Sequence, residues 1–284
     1  MGKLMRPTEE SLMNNTPNEA KQIEDADKRS YSAPALEKGL DILEMLCRSE
    51  QALSSKEIAK SLGRSVGEIY RMLACLVERN YIAQVDDNSF GITTKLFEMS
   101  HINPPTHRLL FEATPIMQRL SSELDQSCHL TVYSQGKQVV LSKADTPSGM
   151  GFSVRAGAEL DVLISASGRV LLAFQDAETR KFRIEEAIQR RPQQADPQIN
   201  SILDSIRASG FESVPSTQVR GLYAVSFPVL DTQGTAIAAL TVPYAERIDQ
   251  TQRKSIPEIT EALGAAAKNL SARVGGLIKS PNIS

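Results

Sequence analysis

Side chains equipped for catalysis or metal binding are few in this sequence and poorly spaced for it. Its three histidines, His101, His107 and His129, and its three cysteines, Cys47, Cys75 and Cys128, form no Cys-x-x-Cys or His-x-x-x-His pair. Cys128 and His129 are adjacent in a strand-like run, so their side chains leave opposite faces and do not converge on one ion. Scattered cysteines, odd in number, read as reduced thiols and not as a disulfide framework. Gly149-Met150-Gly151 lacks the third glycine of a dinucleotide-binding loop, and no Gly-x-Ser-x-Gly nucleophile elbow occurs. Glu185 and Glu186 are neighbours on a charged segment, diverge, and read as solvated. No acid–base pair converges, so no catalytic residue, metal or cofactor is expected.

Two other groups of residues have spacings suited to recognition. Arg64, Ser65, Val66, Gly67, Tyr70 and Arg71 stand at the start and outer face of a short helical pattern. Small residues at Gly67 and Ala74 let a helix backbone approach a base edge. Arg64 and Arg71 can donate to phosphate or to guanine, and a helix start offers free N–H groups to a phosphate. The competing reading is a solvated helix face. The second group is Ser165, Ala166, Ser167 and Gly168, another helix start, whose N–H groups and two hydroxyls suit a carboxylate. Here the competing reading is a plain serine cap with a glycine packed on a sheet.

The elements that must hold the first group are legible. Leu36, Leu40, Leu43 and Cys47 recur at i, i+4, i+7 and i+11 and predict an amphipathic helix with that stripe inward. Ser54 and Glu57 have capping-box spacing, Ile58 and Leu62 face inward, and Gly63 ends the second helix. Ser65 and Glu68 repeat the box, and Ile69, Met72, Leu73 and Leu76 form the buried side of the third. Tyr81–Val85, a polar turn at Asp86–Ser89 and Phe90–Ile92 predict a β-hairpin. Three helices and a hairpin make a winged helix-turn-helix, a DNA-binding arrangement.

Farther on, one helix from Leu109 to Leu124, interrupted near Pro115, joins the two halves. Strands are predicted at Leu130–Tyr133, Val139–Leu141, Phe152–Arg155, Ala224–Val229 and Ala236–Val242. Helices are predicted at Ser167–Gln175, Ala177–Arg191, Pro197–Ser209 and Gln250–Leu277. The pattern is α+β on an antiparallel sheet. The expected organisation is a flexible arm at 1–32, a winged helix-turn-helix at 33–95, a linker helix at 96–126 and a second domain at 127–278.

Composition permits this and weakens one argument for it. Hydrophobic residues make up 41% of 284, enough for two cores. No apolar run is long enough to span a bilayer and no signal peptide is evident, which points to the cytoplasm. The net charge is −2, so the broad positive field common in DNA-binding proteins is absent. A DNA partner therefore has to be argued from local pattern. The arm, itself slightly acidic, reads as a solvated tail.

The segments ALEKGLDILEML, SSKEIAKSLGRSVGEIYRMLACLVERNYI and FGITTKLFEM, followed by CHLTVY, SASGRVLLAF and VRGLYAVSFPVLDTQGTAIAALTV, carry a resemblance to the IclR family of bacterial transcriptional regulators. It covers about Ala35 to Leu277. The resemblance implies a winged helix on a roughly palindromic operator in double-stranded DNA. It also implies a GAF-like α/β domain that binds a small effector, and assembly as a homodimer or homotetramer, commonly as a repressor of catabolic genes. Carried over position by position, the effector site would comprise Gly151, Leu163, Ser165, Ala166, Ser167, Gly168, Ala224, Ser226 and Thr241. Several positions depart from the family pattern. Leu163 stands where a histidine is frequent, and Ala224 where a cysteine is. Val214, Pro215, Ser216 and Thr217 replace an acidic stretch, and Pro243 replaces a hydroxyl. These changes imply a roomier, less polar site, suited to an organic acid with an apolar or aromatic body. Arg155 and Arg220 are further carboxylate partners, with a surface ion pair the favoured reading for both. A second domain that only oligomerises, and a metabolite-binding enzyme, remain alternatives.

Overall fold

The computed structural model describes residues 33–86, 88–102, 104–148, 151–245 and 254–275. The chain divides between Ile102 and Asn103 into two units. The predicted arm falls outside the described residues, as do Gly149 and Met150.

The first unit begins with α1 (Pro34–Arg48), which has a proline in its first turn, where the missing N–H costs nothing. Its buried residues are Ile42 and Leu46, which join Ile58, Ile69, Leu73 and Ile82 in one core. The predicted inward stripe is therefore misassigned: Leu36 and Leu40 are 62% and 48% exposed and Cys47 is exposed, with only Leu43 partly packed on the core. The helix carries two apolar stripes, and spacing alone does not say which of them meets the rest of the unit.

After the short strand β1 (Leu53–Ser54) comes α2 (Ser55–Ser61). Its N–H of Glu57 donates to Ser54 Oγ at 3.3 Å, while the Ser54 N–H donates to the Glu57 carboxylate at 2.8 Å. Gly63 follows at φ +62°, the left-handed conformation that stops a helix. Next is α3 (Val66–Glu78), which buries Ile69, Leu73 and Leu76 as predicted. The wing strands β2 (Ile82–Gln84) and β3 (Ser89–Ile92) pair with Ile82 opposite Ile92. The Asp86 carboxylate accepts from the N–H groups of Asn88 and Ser89 in the turn between them. The wing is larger than the hairpin predicted, because β1 pairs with β3 to make a three-stranded sheet in the order β1-β3-β2. The unit closes with α4 (Lys95–Ile102).

The second unit opens with α5 (Pro104–Leu124), an unbroken helix with Pro115 inside it. The predicted interruption does not occur; one lost backbone bond is tolerated by a helix that buries Leu109, Ala113, Ile116, Met117 and Leu120. Six antiparallel strands follow: β4 (Cys128–Ser134), β5 (Lys137–Ala144), β6 (Glu159–Leu160), β7 (Glu212–Pro215), β8 (Leu222–Leu230) and β9 (Ala236–Ala245). They form one sheet in the order β6-β5-β4-β9-β8-β7. No strand forms at the predicted Phe152–Arg155. The helices are α6 (Ala166–Ala173), α7 (Ala177–Arg190), α8 (Ile199–Ser209) and α9 (Ile256–Gly275).

Period-two alternation divides the sheet. Cys128, Leu130, Val225, Val229, Ala238, Leu240 and Val242 face one side and pack with α5 and α9. The alternate positions, among them His129, Ala239 and Thr241, face the side where α6 lies. Between β4 and β9 the ladder runs only from Ala239 to Thr241, and Pro243 has no N–H to continue it. Past that gap the Gln126 side-chain amide donates to Ala245 O at 3.3 Å and accepts from Ala245 N at 3.2 Å.

Candidate functional site

In the first unit α3 turns Val66, Gly67, Tyr70 and Arg71 outward, with Tyr70 67% exposed. A side chain at Gly67 would meet nothing within 4 Å. Arg71 forms no ion pair among the described residues, so its guanidinium is free to reach an anion. Arg64 differs: it donates to Asp41 on α1 at 3.2 Å, and its Nε is buried without a partner. Its first role is to tie the helix-turn-helix to α1. Ser65 is also engaged, its N–H and hydroxyl both donating to the Glu68 carboxylate at 2.8 Å. Those bonds hold the Glu68 carboxyl below its usual range, with Lys38 3.7 Å away adding to the effect. What remains for recognition is a ridge of Gly67, Tyr70 and Arg71, the backbone start of α3 and the wing.

In the second unit a cavity of about 350 Å³ opens at the start of α6. It brings together Ser165, Ala166, Ser167, Ala224 and Thr241 of the predicted set, with Arg155 at its wall. Phe152, Leu160, Ile164, Val214, Val219 and Leu222 give it a mainly apolar lining. Leu163, Gly168, Ser226 and Gly151 do not line it. Leu163 is buried in the core beneath α6. A Cβ on Gly168 would lie 2.3 Å from Val162 Cα, so this glycine lets the helix start press on the preceding turn. Ser226 is fully buried, its hydroxyl 2.8 Å from that of Thr241, and Gly151 sits against Thr146. Arg220 is exposed and outside the lining; neither it nor Arg155 makes an ion pair among the described residues, contrary to the surface-pair reading.

Ser165 is not a free hydroxyl. It accepts from Gly168 N at 3.1 Å and from Gln138 Nε2 at 2.5 Å and donates to Asp161 O at 2.5 Å, which fills its capacity. Ser167 has no such partners among the described residues. The groups at this helix start that can meet an anion are therefore its backbone N–H groups and Ser167.

Two cavity residues escaped the residue pattern. Arg169, one turn into α6, lines the cavity and grips Glu212 on β7 through Nε, at 2.9 and 3.0 Å from the two carboxylate oxygens. Burial pushes the Glu212 carboxyl up, and the Arg169 guanidinium opposes that. His129, weighed in sequence only as a metal ligand, is 4% exposed and lines the cavity. Burial holds its imidazole down to about 4, so it is neutral at physiological pH. Cys128, next to it, lies on the opposite face of the sheet, its thiol pushed up to about 12 by burial. Glu186, read as solvated, instead accepts a hydrogen bond from Tyr133, whose ring also carries the Arg183 guanidinium 4.4 Å from its centroid. Among the described residues no cluster of three possible ligands could hold a metal, and no helix is long and apolar enough to cross a membrane.

Comparison with known proteins agrees with the fold, an N-terminal helix-turn-helix domain followed by a C-terminal α/β domain. Residues 35–86 match the IclR helix-turn-helix domain, and residues 106–272 match the bacterial transcriptional regulator IclR C-terminal domain. The chain is 26% identical over 256 residues to the HTH-type transcriptional regulator KdgR of Escherichia coli, covering 88% of this chain and 96% of that one. It is 24% identical over 251 residues to the HTH-type transcriptional repressor AllR of Klebsiella pneumoniae, covering 86% and 90%. Its fold matches a crystal structure of an IclR homolog from Microbacterium hydrocarbonoxydans complexed with 4-hydroxybenzoate. That match has TM-score 0.68 and 20% identity, over 84% of this chain and 98% of that one. With a winged helix-turn-helix, an effector-type domain on an antiparallel sheet, and family matches over most of its length, this chain belongs to the IclR family of transcriptional regulators.

Proposed function

We propose that α3 reads a palindromic operator through Gly67, Tyr70 and Arg71, and that an organic acid in the cavity at the start of α6 controls this binding. The observation that carries the DNA half is the outward ridge of α3, where an unpaired arginine and an uncrowded glycine stand side by side. Arg71 donates to a base or a phosphate, Tyr70 packs on the backbone or a base edge, and the close approach falls at Gly67. The cavity half rests on an apolar chamber that meets free N–H groups, the Ser167 hydroxyl and Arg155, a combination suited to a carboxylate on an apolar body. That a relative by fold is a complex with 4-hydroxybenzoate supports this chemistry.

Regulation is then linkage: an effector that binds one arrangement of a dimer better than another changes the distance between two recognition helices. The exposed Leu36 and Leu40 on α1 supply an apolar surface for pairing two copies. Repression is the direction favoured by the named repressor among its relatives. The protein works in the cytoplasm and has no catalytic role.

The test is to mix purified full-length protein with fragmented genomic DNA, recover what it binds and sequence it, with and without a panel of carboxylic acids. Enrichment of one palindrome, weakened or strengthened by at least one acid, is expected. No enrichment at low salt from a folded protein would remove the operator reading. Unchanged binding and an unchanged melting temperature across the acids would remove the effector reading.

A further inference from the structure

Across the sheet, four strands place buried polar residues in one row. Glu212 stands opposite Ser226, Ser226 opposite Thr241, and Thr241 opposite His129. Directly opposed residues of an antiparallel sheet point to the same face, here the face toward α6. All four are at most 6% exposed. Three of them are satisfied: Glu212 by Arg169, and Ser226 and Thr241 by each other at 2.8 Å. His129 ends the row, and its Nδ1 is buried without a hydrogen-bond partner. Arg64, Thr131, Gln138 and Arg180 also have one such buried atom each, but His129 is the residue among them that lines the cavity. An unanswered buried polar group costs about 1–3 kcal/mol, which a bound molecule recovers if it supplies the missing bond.

We propose that His129 selects the effector by hydrogen-bonding a hydroxyl group carried on an otherwise apolar carboxylic acid. This rests on the cavity being the effector site. A neutral imidazole offers one donor nitrogen and one acceptor nitrogen. A hydroxyl both donates and accepts and can answer either. A second carboxylate only accepts, would set an anion against a buried neutral ring, and would find Arg169 already engaged by Glu212. Phe152, Leu160, Ile164 and Val214 provide for the carbon body, while Ser216, Thr217 and Gln218 also line the cavity but none of them is a buried polar group left without a partner. The ligand class is therefore a monocarboxylic hydroxy acid with an aromatic or aliphatic body. A buried site built to bond a hydroxyl discriminates strongly against the analogue that lacks it, because the site's own polar group is then stranded.

The experiment uses matched acids that differ by the hydroxyl alone. Benzoate is compared with 3- and 4-hydroxybenzoate, and hexanoate with 6-hydroxyhexanoate, by calorimetry on the full-length protein. In the wild type at least one hydroxylated member is expected to bind on the order of tenfold more tightly than its parent. In His129→Phe that gap closes while the parent acid still binds, and in His129→Gln, whose amide keeps a donor and an acceptor, part of the gap returns. A wild-type protein that binds parent and hydroxylated acids equally, or a gap that survives in His129→Phe, overturns the assignment. The wild-type comparison decides alone if His129→Phe does not fold. Binding without the gap removes only this proposal. No binding by any of the five acids, with a flat melting temperature across the wider carboxylic acid panel, removes the effector reading and this proposal with it.

Discussion

The two units each contain a helix that begins at a serine followed by a small-residue turn, and they use it in opposite ways. At Ser65 the start of α3 is held by its own Glu68 and faces outward, with Val66, Gly67 and Tyr70 exposed around it. At Ser165 the start of α6 is held by the nearby Asp161 carbonyl and by Gln138 on the distant strand β5, and it stands at the wall of a cavity. The first helix start closes with local bonds and so remains intact on an open surface, where a large partner can approach. The second depends on the surrounding fold and is reached only by something small enough to enter. Under the proposed function the same electrostatic device would serve two classes of ligand, with the neighbours of the serine deciding which.

The glycines give the largest expected break between the two regions. Gly168→Val puts side-chain atoms where Val162 backbone already lies, 2.3 Å from the new Cβ. A loss of about 3 kcal/mol or more in unfolding free energy of the second unit is expected, measured by urea titration. A smaller loss would show that the turn at Val162 yields.

Next in size is the acid sensitivity of His129. Its imidazole titrates near 4 in the folded protein against 6.5 for the free side chain. Between those values the unfolded chain binds a proton that the folded one excludes, so stability falls as pH falls through that window and is flat above it. The full span is about 3 kcal/mol. The difference in unfolding free energy between wild type and His129→Phe, followed from pH 7 to 4, is expected to carry this slope. A constant difference would place the imidazole in contact with water.

Arg71→Ala is expected to cost about 1–3 kcal/mol of operator affinity with no change in melting temperature. Loss confined to one base position marks a base contact; equal loss on every sequence marks a phosphate contact. Arg64→Ala sharpens the contrast, because loss of the Asp41 pair lowers the melting temperature as well. The smallest effect is at Gly67→Ala, where the added methyl meets open space. Folding stability is expected to rise by about 0.5–1 kcal/mol while operator affinity falls, a split readable by thermal melting beside a binding titration.

Most of the first unit was legible because its signals are local. Both serine–glutamate boxes, the left-handed Gly63 and the buried side of α3 lie within a few residues of one another. The error at α1 came from a choice that is not local: two apolar stripes share one helix, and contact with α3 and β3 selects Ile42 and Leu46. The cavity at the start of α6 was half legible. Ser165, Ala166, Ser167, Ala224 and Thr241 were found by family pattern. His129, Arg169 and Glu212 were not, because their roles depend on the pairing of β4 with β9 and of α6 with β7, contacts between segments far apart in the chain. Ser165 was over-read for the same reason, since its Gln138 partner lies on a distant strand.

The Gln126 amide that stands beside Ala245 occupies the place of a peptide group that β4 does not supply. The Ala245 amide is consequently expected to exchange its hydrogen with solvent as slowly as a ladder amide, although no neighbouring strand backbone protects it. That protection hangs on one side chain. In Gln126→Ala the exchange should quicken by orders of magnitude at Ala245 alone, leaving the amides of Ala239 and Thr241 as slow as before, and the end of β9 that carries Pro243 to the cavity would become its loosest wall.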